Sequence, residues 1–397
     1  MRNFTVYLAF SLVALLPALG AESAPNTLSS EEVSAGWLLL WDGESTFGWE
    51  PQGGAEWKAA DGVLRASSGA DGWLRHATPF ANFVLRVEFR MNTVETDSGI
   101  FIRAASEGDP TKTGYQVNIN NMNKDFGTGS LVGRVKVPSG QVKAKEWHRY
   151  QITADNDHLV VELDGKKVVD ARDGSAQTGY IGLQFVKGAE IEFRTIALRP
   201  LGLEPLFNGK DLTGWTSVDR PKGRAIPEWS VKEGAIHVEK GPGQLETIAE
   251  FGNFVLQLEV RANAQNEDHH PNSGVFFRGD KGTSWTGYEV QIRNQFKDGD
   301  RTQPVDFGTG GLYHFQPARR VVPNDQEFFT KTIVAAGRHI AVWINGIEVT
   351  KYDDARTEGS NAVKEARLAP GPIALQAHDP TTNLDFRNLR IKPLPMR

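Results

Sequence analysis

Apolar and polar residues alternate in short runs along much of this chain, the two-residue period of half-buried strands. The runs Phe83-Val84-Leu85-Arg86-Val87-Glu88-Phe89-Arg90 and Phe254-Val255-Leu256-Gln257-Leu258-Glu259-Val260-Arg261 show it. A strand with one apolar face collects its remaining residues on the other. With Tyr288, Val290 and Ile292 inward, Glu289, Gln291 and Arg293 share the opposite face. In the same way Ile373, Leu375 and Ala377 leave Gln376 and His378 outside, and Val275 and Phe277 leave Phe276 and Arg278. Ile340, Val342 and Ile344 leave His339, Trp343 and Asn345. Arg387 shares a face with Leu389 and Ile391 unless a bulge intervenes. Helical signals are scarce. One short helix is expected within 27–35, with Ser29 or Ser30 as cap and Glu31 and Glu32 in its first turn, and another near 361–367.

The pattern occurs twice, at an offset of roughly 165 to 195 residues, which marks duplicated domains rather than a short-period solenoid. Leu40-Trp41-Asp42-Gly43 with Trp49 corresponds to Leu206-Phe207-Asn208-Gly209 with Trp215. Ser98-Gly99-Ile100-Phe101-Ile102-Arg103 corresponds to Ser273-Gly274-Val275-Phe276-Phe277-Arg278, and Gly114-Tyr115-Gln116-Val117 to Gly287-Tyr288-Glu289-Val290. Both copies close on Phe-Arg, at Phe193-Arg194 and Phe386-Arg387. The expected domains are residues 34–200 and 203–395, joined by a short linker stiffened by Pro200 and Pro205. The second copy has longer insertions around 263–271, 297–305 and 353–369, and loops on a rigid scaffold are where function concentrates.

Composition narrows the class. The 397 residues exceed one ordinary core, and 41 Gly, 21 Phe and 10 Trp suit an all-β chain of short strands and tight turns. A net charge of −5 offers no field for a polyanion, so nucleic acid is not an expected partner. Arg2, the apolar run from Phe4 to Leu16 and the small residues before Ala21 read as a signal peptide over 1–21, the alternative being an uncleaved anchor. No later segment is long and apolar enough to span a bilayer. The expectation is an exported protein, periplasmic or extracellular, that folds without disulfides, since the chain has no cysteine.

The outward residues of the second copy include a carboxylate, an imidazole, arginines, amides and an indole. Amides and charges bond sugar hydroxyls and an aromatic face stacks on sugar C–H groups, so carbohydrate is the expected ligand. The same residues also fit two ordinary solvated sheets. Asp268-His269-His270 has the composition of a metal cluster, but neighbouring histidines in an extended chain point apart. A divalent ion held by His378 with Glu289 stays open. The paired carboxylates of a retaining glucanase are not evident on one strand. Asp125-Phe126-Gly127 and Asp306-Phe307-Gly308 lack the companion motifs of a kinase and are read as turns.

Leu206-Phe207-Asn208-Gly209-Lys210-Asp211-Leu212 with Trp215, Asn272-Ser273-Gly274 with Arg278, Gly287-Tyr288-Glu289-Val290-Gln291, Asn345-Gly346, Leu375-Gln376-Ala377-His378 and Phe386-Arg387-Asn388 together resemble the 3-keto-disaccharide hydrolase family. The resemblance runs through nearly all of the second copy and is weaker in the first. It implies two tandem concanavalin A-like jelly-roll sandwiches, and a lyase and hydratase that cleaves 3-keto-glycosides by C1–C2 elimination and hydration of the glycal. Under it Glu289 and His378 are the catalytic acid and base, in either order. Arg278 and Arg387 are clamps for the enolate or hydroxyls, Gln291 and Asn272 position the sugar, and Gln376 and Trp343 line the binding face. The first copy departs from the pattern: Gln116 stands at the position of Glu289, Asn118 at that of Gln291, and Val186 near that of His378. Gln is neither acid nor base, so chemistry is expected in the second domain. The alternative is a non-catalytic tandem lectin, because a fold does not fix its chemistry.

Overall fold

The computed structural model describes residues 24–219, 226–266, 269–361 and 363–395. The expected signal peptide, Asp268 and the end of the chain lie outside them. The architecture is all-β. The helix expected near the start is a single turn, Ser30–Ser34, closed by a capping box between Ser29 and Glu32. The one expected near 361–367 is a turn instead, in which the Asn361 carbonyl accepts from the Lys364 and Glu365 amides.

Each half is a two-layer sandwich. In the first half the long strand Val63–His76 runs through both layers. Its early part pairs with Ile191–Pro200, Leu64 opposite Phe193, and its late part with Tyr180–Phe185, Leu74 opposite Leu183. The two layers are therefore one continuous eleven-stranded sheet curled onto itself. In the second half the counterpart is broken after Glu239 into Ala235–Glu239 and Gly243–Phe251, which serve separate eight- and five-stranded sheets. Period-two burial fills each interior: Leu245, Val275, Val290 and Leu375 of the five-stranded sheet face Ile236, Leu256, Ile333 and Val342 of the other.

The outer face of the eight-stranded sheet is covered in part, because the first domain packs on it. Val255, Val334, Ala341 and Trp343 join the hydrophobic cluster of the first half. The Trp343 indole donates to the Leu39 carbonyl at 3.0 Å and stacks on His76, with centroids 6.2 Å apart. His339 meets Thr78 at 2.9 Å, Arg319 pairs with Asp42 at 2.6 Å, and Lys351 with Glu50 at 2.5 Å. Trp343 was expected on a sugar-binding face. It points out of its sheet as alternation requires, but what it meets is the other domain, where a large aromatic has more to gain from burial than from water.

Candidate functional site

The outer face of the five-stranded sheet gathers most of the expected site. Strands Tyr288–Ile292, Ser273–Phe277 and Gly371–Ala377 lie side by side, and their pairing arranges outward residues in rows. Gln291 lies opposite Gly274, and Val275 opposite Leu375 sets Gly274 beside Gln376. The next strand continues this row with Gln244 opposite Gln376. Asn272 and His378 stand one row further along, just beyond the strand ends.

Gly274 is the floor of this arrangement. A Cβ there would lie 2.4 Å from Glu289 Oε1, so the missing side chain is what lets the carboxyl lean over the central strand between Gln291 and Gln376. Burial, and then the charge of Asp306, push the Glu289 carboxyl up to about 8, while Lys331 and a hydrogen bond from Gln376 pull the other way. At neutral pH the unliganded carboxyl therefore carries its proton.

His378 is fixed from two sides. Its ring lies parallel to that of Trp285, 3° apart in plane and 5.5 Å between centroids, and its Nδ1 is 2.9 Å from Asp379. Burial works to raise Asp379, but hydrogen bonds from Thr381 and His378 outweigh it and hold the carboxylate below its usual range. An ionised Asp379 can only accept, so Nδ1 bears the hydrogen and a neutral ring keeps its lone pair on Nε2. That nitrogen looks towards Asn272 Nδ2 at 3.5 Å. Asn272 Nδ2 also reaches Asp306 at 3.3 Å, and Gln291 Nε2 donates to the same carboxylate at 3.1 Å.

Three buried oxygens on this face have no hydrogen-bond partner: Gln291 Oε1, Gln376 Oε1 and Asn272 Oδ1. A buried acceptor left empty costs about 1–3 kcal/mol, and these three stand at neighbouring positions of one sheet face, where hydroxyl donors would satisfy them. The first domain shows the contrast on equivalent positions. Gln116 Nε2 donates to Gln184 Oε1 at 2.8 Å and to Asn118 Oδ1 at 3.2 Å, and Asn118 donates to the Phe126 carbonyl. Trp73, opposite Gln184 where the second domain has Gln244, covers Gly182. The amides of that row are satisfied by one another and by the backbone, and Trp73 roofs them.

Two arginines expected here are elsewhere. Arg278 has φ +54°, which breaks the strand's alternation and turns its side chain into the protein. Fully buried, it donates to the carbonyls of Gly252, Gly337 and Arg367 and to Asn253 Oδ1. Arg103 does the same in the first domain, at φ +51°, with Ala81, Asn156, Ala176 and Asn82. Such a guanidinium ties loops together and has nothing left for substrate. Arg387 lies on the other sheet, where a bulge and Asn388 at φ +52° keep it outside while Leu389 stays in the core. It pairs with Glu259 at 2.7 Å and lies over Phe328, as Arg194 pairs with Glu88 and lies over Trp147. Both arginines recur in both domains, as structural groups do.

Several residues of the face were not singled out from sequence. Gln244 and Glu246 alternate with Leu245 and were legible by the same period of two. Gln244 Oε1 accepts from the Trp285 amide at 2.9 Å and Glu246 Oε1 from the Gly282 amide at 2.8 Å, which anchors the loop that carries Trp285. Asp306 had been read only as a turn, and Asp379 and Trp285 sit in loops without periodicity. Among the described residues no group of three or more His, Cys, Asp or Glu side chains is placed to hold a metal ion. Two open clefts of about 500 Å³ lie off this row: one beside His270, Asn294 and Asp325 at the end of the sheet, the other at Trp147, Arg149 and Arg194 in the first domain.

The sequence pattern of the 3-keto-alpha-glucoside-1,2-lyase-like domain matches the chain twice, over residues 36–199 and 202–392. The chain belongs to this 3-keto-alpha-glucoside-1,2-lyase-like family. Between the two matched stretches, Gln116 stands where the second has Glu289, and Val186 near where the second has His378. No curated protein matches the chain. Among solved structures, a Parabacteroides distasonis protein provisionally designated a glycosyl hydrolase is 18% identical, with 45% of this chain and 100% of that one covered and a TM-score of 0.41. The carbohydrate-binding module CBM66 of Bacillus subtilis is 19% identical, with 38% and 95% covered and a TM-score of 0.32. A lichenase derived from a mouse hindgut metagenome is 14% identical, with 38% and 92% covered and a TM-score of 0.28.

Proposed function

We propose that the second domain cleaves 3-keto-glycosides by elimination across C1 and C2 followed by hydration, with net hydrolysis, and that the first domain supports it without chemistry of its own. The observation that carries this reading is the trio of unpartnered buried acceptors around a protonated Glu289, beside a histidine whose Nε2 turns towards Asn272 at 3.5 Å. A ketone at C3 acidifies the C2 proton. His378 Nε2 takes that proton, the electron pair moves into an enolate on the C3 oxygen, and the enolate expels the C1 substituent as Glu289 gives its proton to the departing oxygen. In the hydration step Glu289 accepts a proton from the water that attacks C1, and the imidazolium returns one to C2. Gln291, Gln376 and Asn272 receive sugar hydroxyls and fix the ring over Gly274.

Release of aglycone from a 3-keto-glucoside, followed by absorbance with a nitrophenyl leaving group, tests the proposal. The wild type is expected to turn over, with Glu289→Gln and His378→Ala each reducing kcat by about 100-fold or more. Tight binding of the keto-glycoside with no release, equal in wild type and variants, would replace the enzyme by a lectin-like binding protein.

A further inference from the structure

One charged group of the second domain has no part in the scheme above. Lys331 lies on strand Phe329–Ala336 of the eight-stranded sheet and points across the core, where it is fully buried. Its Nζ donates to the carbonyls of Val290 at 3.2 Å and Gln291 at 2.9 Å, on the strand that carries Glu289. A lysine there is costly, since a buried ammonium loses its hydration and finds only two neutral acceptors. The first domain meets the same demand without charge. Tyr150, one row into the matching strand, donates its hydroxyl to the Asn118 carbonyl at 2.5 Å, the counterpart of the Gln291 carbonyl. A phenol thus suffices to tie the sheets together. The two domains differ in step: the strand tied by Tyr150 carries Gln116, and the strand tied by Lys331 carries Glu289.

We propose that Lys331 is a positioning residue whose buried positive charge, delivered through the floor of the site, governs the ionisation of Glu289 and holds its strand in register. The inference rests on the role given above to Glu289 but concerns only how that carboxyl is tuned. Burial pulls the ammonium down to about 7 and Glu289 pulls it back, so each group is the other's main support for charge. The remaining charged or titratable groups around the carboxyl are Asp306 and Tyr313 from the following loop and Glu246 and His378 from the neighbouring strands. Asp306 is an anion that raises Glu289, and Lys331 is the cation that lowers it. When Glu289 surrenders its proton to a leaving group, the lysine supplies the compensating charge from a direction that substrate cannot occupy.

The test is a carboxyl titration rather than an activity assay. Full-length protein with glutamate labelled with carbon-13 at the carboxyl carbon is titrated by NMR as wild type, Lys331→Met, Lys331→Tyr and Glu289→Gln, the last to assign the Glu289 signal. The Glu289 midpoint is expected to rise by about one pH unit or more in both lysine variants, a tenfold or larger change in its ionisation constant. Lys331→Tyr is expected to fold as well as the first domain does with Tyr150. An unchanged midpoint in the variants, or unfolding of the second domain in both, would leave Lys331 a structural tie and overturn the proposal. A shifted midpoint in a protein that turns over no keto-glycoside would sink the enzymatic reading alone, and normal turnover with no shift would sink this one alone.

Discussion

Glu289→Gln should stabilise the second domain, and the gain should grow with pH. The folded carboxyl is pushed up to about 8 from an ordinary 4.5, by burial first and by Asp306 next. Between those values the folded chain keeps a proton that the unfolded chain has released, so raising the pH favours unfolding by about 1.4 kcal/mol per unit. This destabilisation is absent below the unfolded value and complete above the folded one. Lys331, whose ammonium is pulled down to about 7, begins to titrate only at the top of the window from about pH 5 to pH 7. The amide has no proton to lose, and Gln116 shows that the position accepts it. The stability difference between variant and wild type should therefore widen by about 2–3 kcal/mol across that window, or roughly 5–10 °C in Tm for a domain of this size. Urea and thermal unfolding, followed by tryptophan fluorescence in closely spaced buffers, measure it. A difference that stays constant from pH 5 to pH 7 would refute the desolvated, proton-bearing carboxyl on which the acid role depends.

Other consequences concern single groups. Gly274→Ala places a methyl 2.4 Å from Glu289 Oε1, and kcat/KM for a keto-glycoside should fall by about 100-fold or more while the Tm changes far less. Arg278→Ala strands three carbonyls and should cost about 3 kcal/mol or more in urea unfolding, whereas Arg387→Ala, at a half-exposed pair, should cost no more than about 1 kcal/mol and leave turnover intact. Trp343→Ala should cost about 3–5 kcal/mol and loosen the domain contact, seen as faster proteolysis of the linker, with keto-sugar affinity unchanged. In the pH profile of kcat/KM the alkaline limb should fall near pH 8, as the acid loses its proton, and should be missing from the residual activity of Glu289→Gln.

Strand periodicity carried the sequence reading a long way because the second copy's five-stranded sheet is regular. Glu289, Gln291, Gln376 and His378 follow from the burial of Tyr288, Val290, Leu375 and Ala377, and the duplicated landmarks located Gln116 as the departure. The period of two failed where the backbone left it. A positive φ at Arg278 reverses that side chain, and no pattern of side-chain hydrophobicity records a backbone twist. Trp343 failed for another reason: alternation gives the face of a strand but not what covers the face, and here it is a second domain. Lys331 was hidden because a lysine in an apolar run reads as an outward residue until the opposite sheet supplies two carbonyls for it. Asp306 and Asp379 belong to loops, where spacing holds no geometric information. The comparison between the copies recovers much of this, since Arg278 and Arg387 have twins in Arg103 and Arg194 and the acid and imidazole have none.

The central claim is that the C2 proton leaves before the glycosidic bond is cleaved. Turnover of a 3-keto-glucoside in deuterium oxide, with proton NMR of the released sugar and a no-enzyme control, measures it directly. Wild-type protein is predicted to yield a 3-keto sugar bearing deuterium at C2, with both release and labelling lost in His378→Ala. Aglycone released with the original C2 hydrogen still in place, and at the same rate from a substrate deuterated at C2, would contradict elimination and reduce the site to direct displacement at C1.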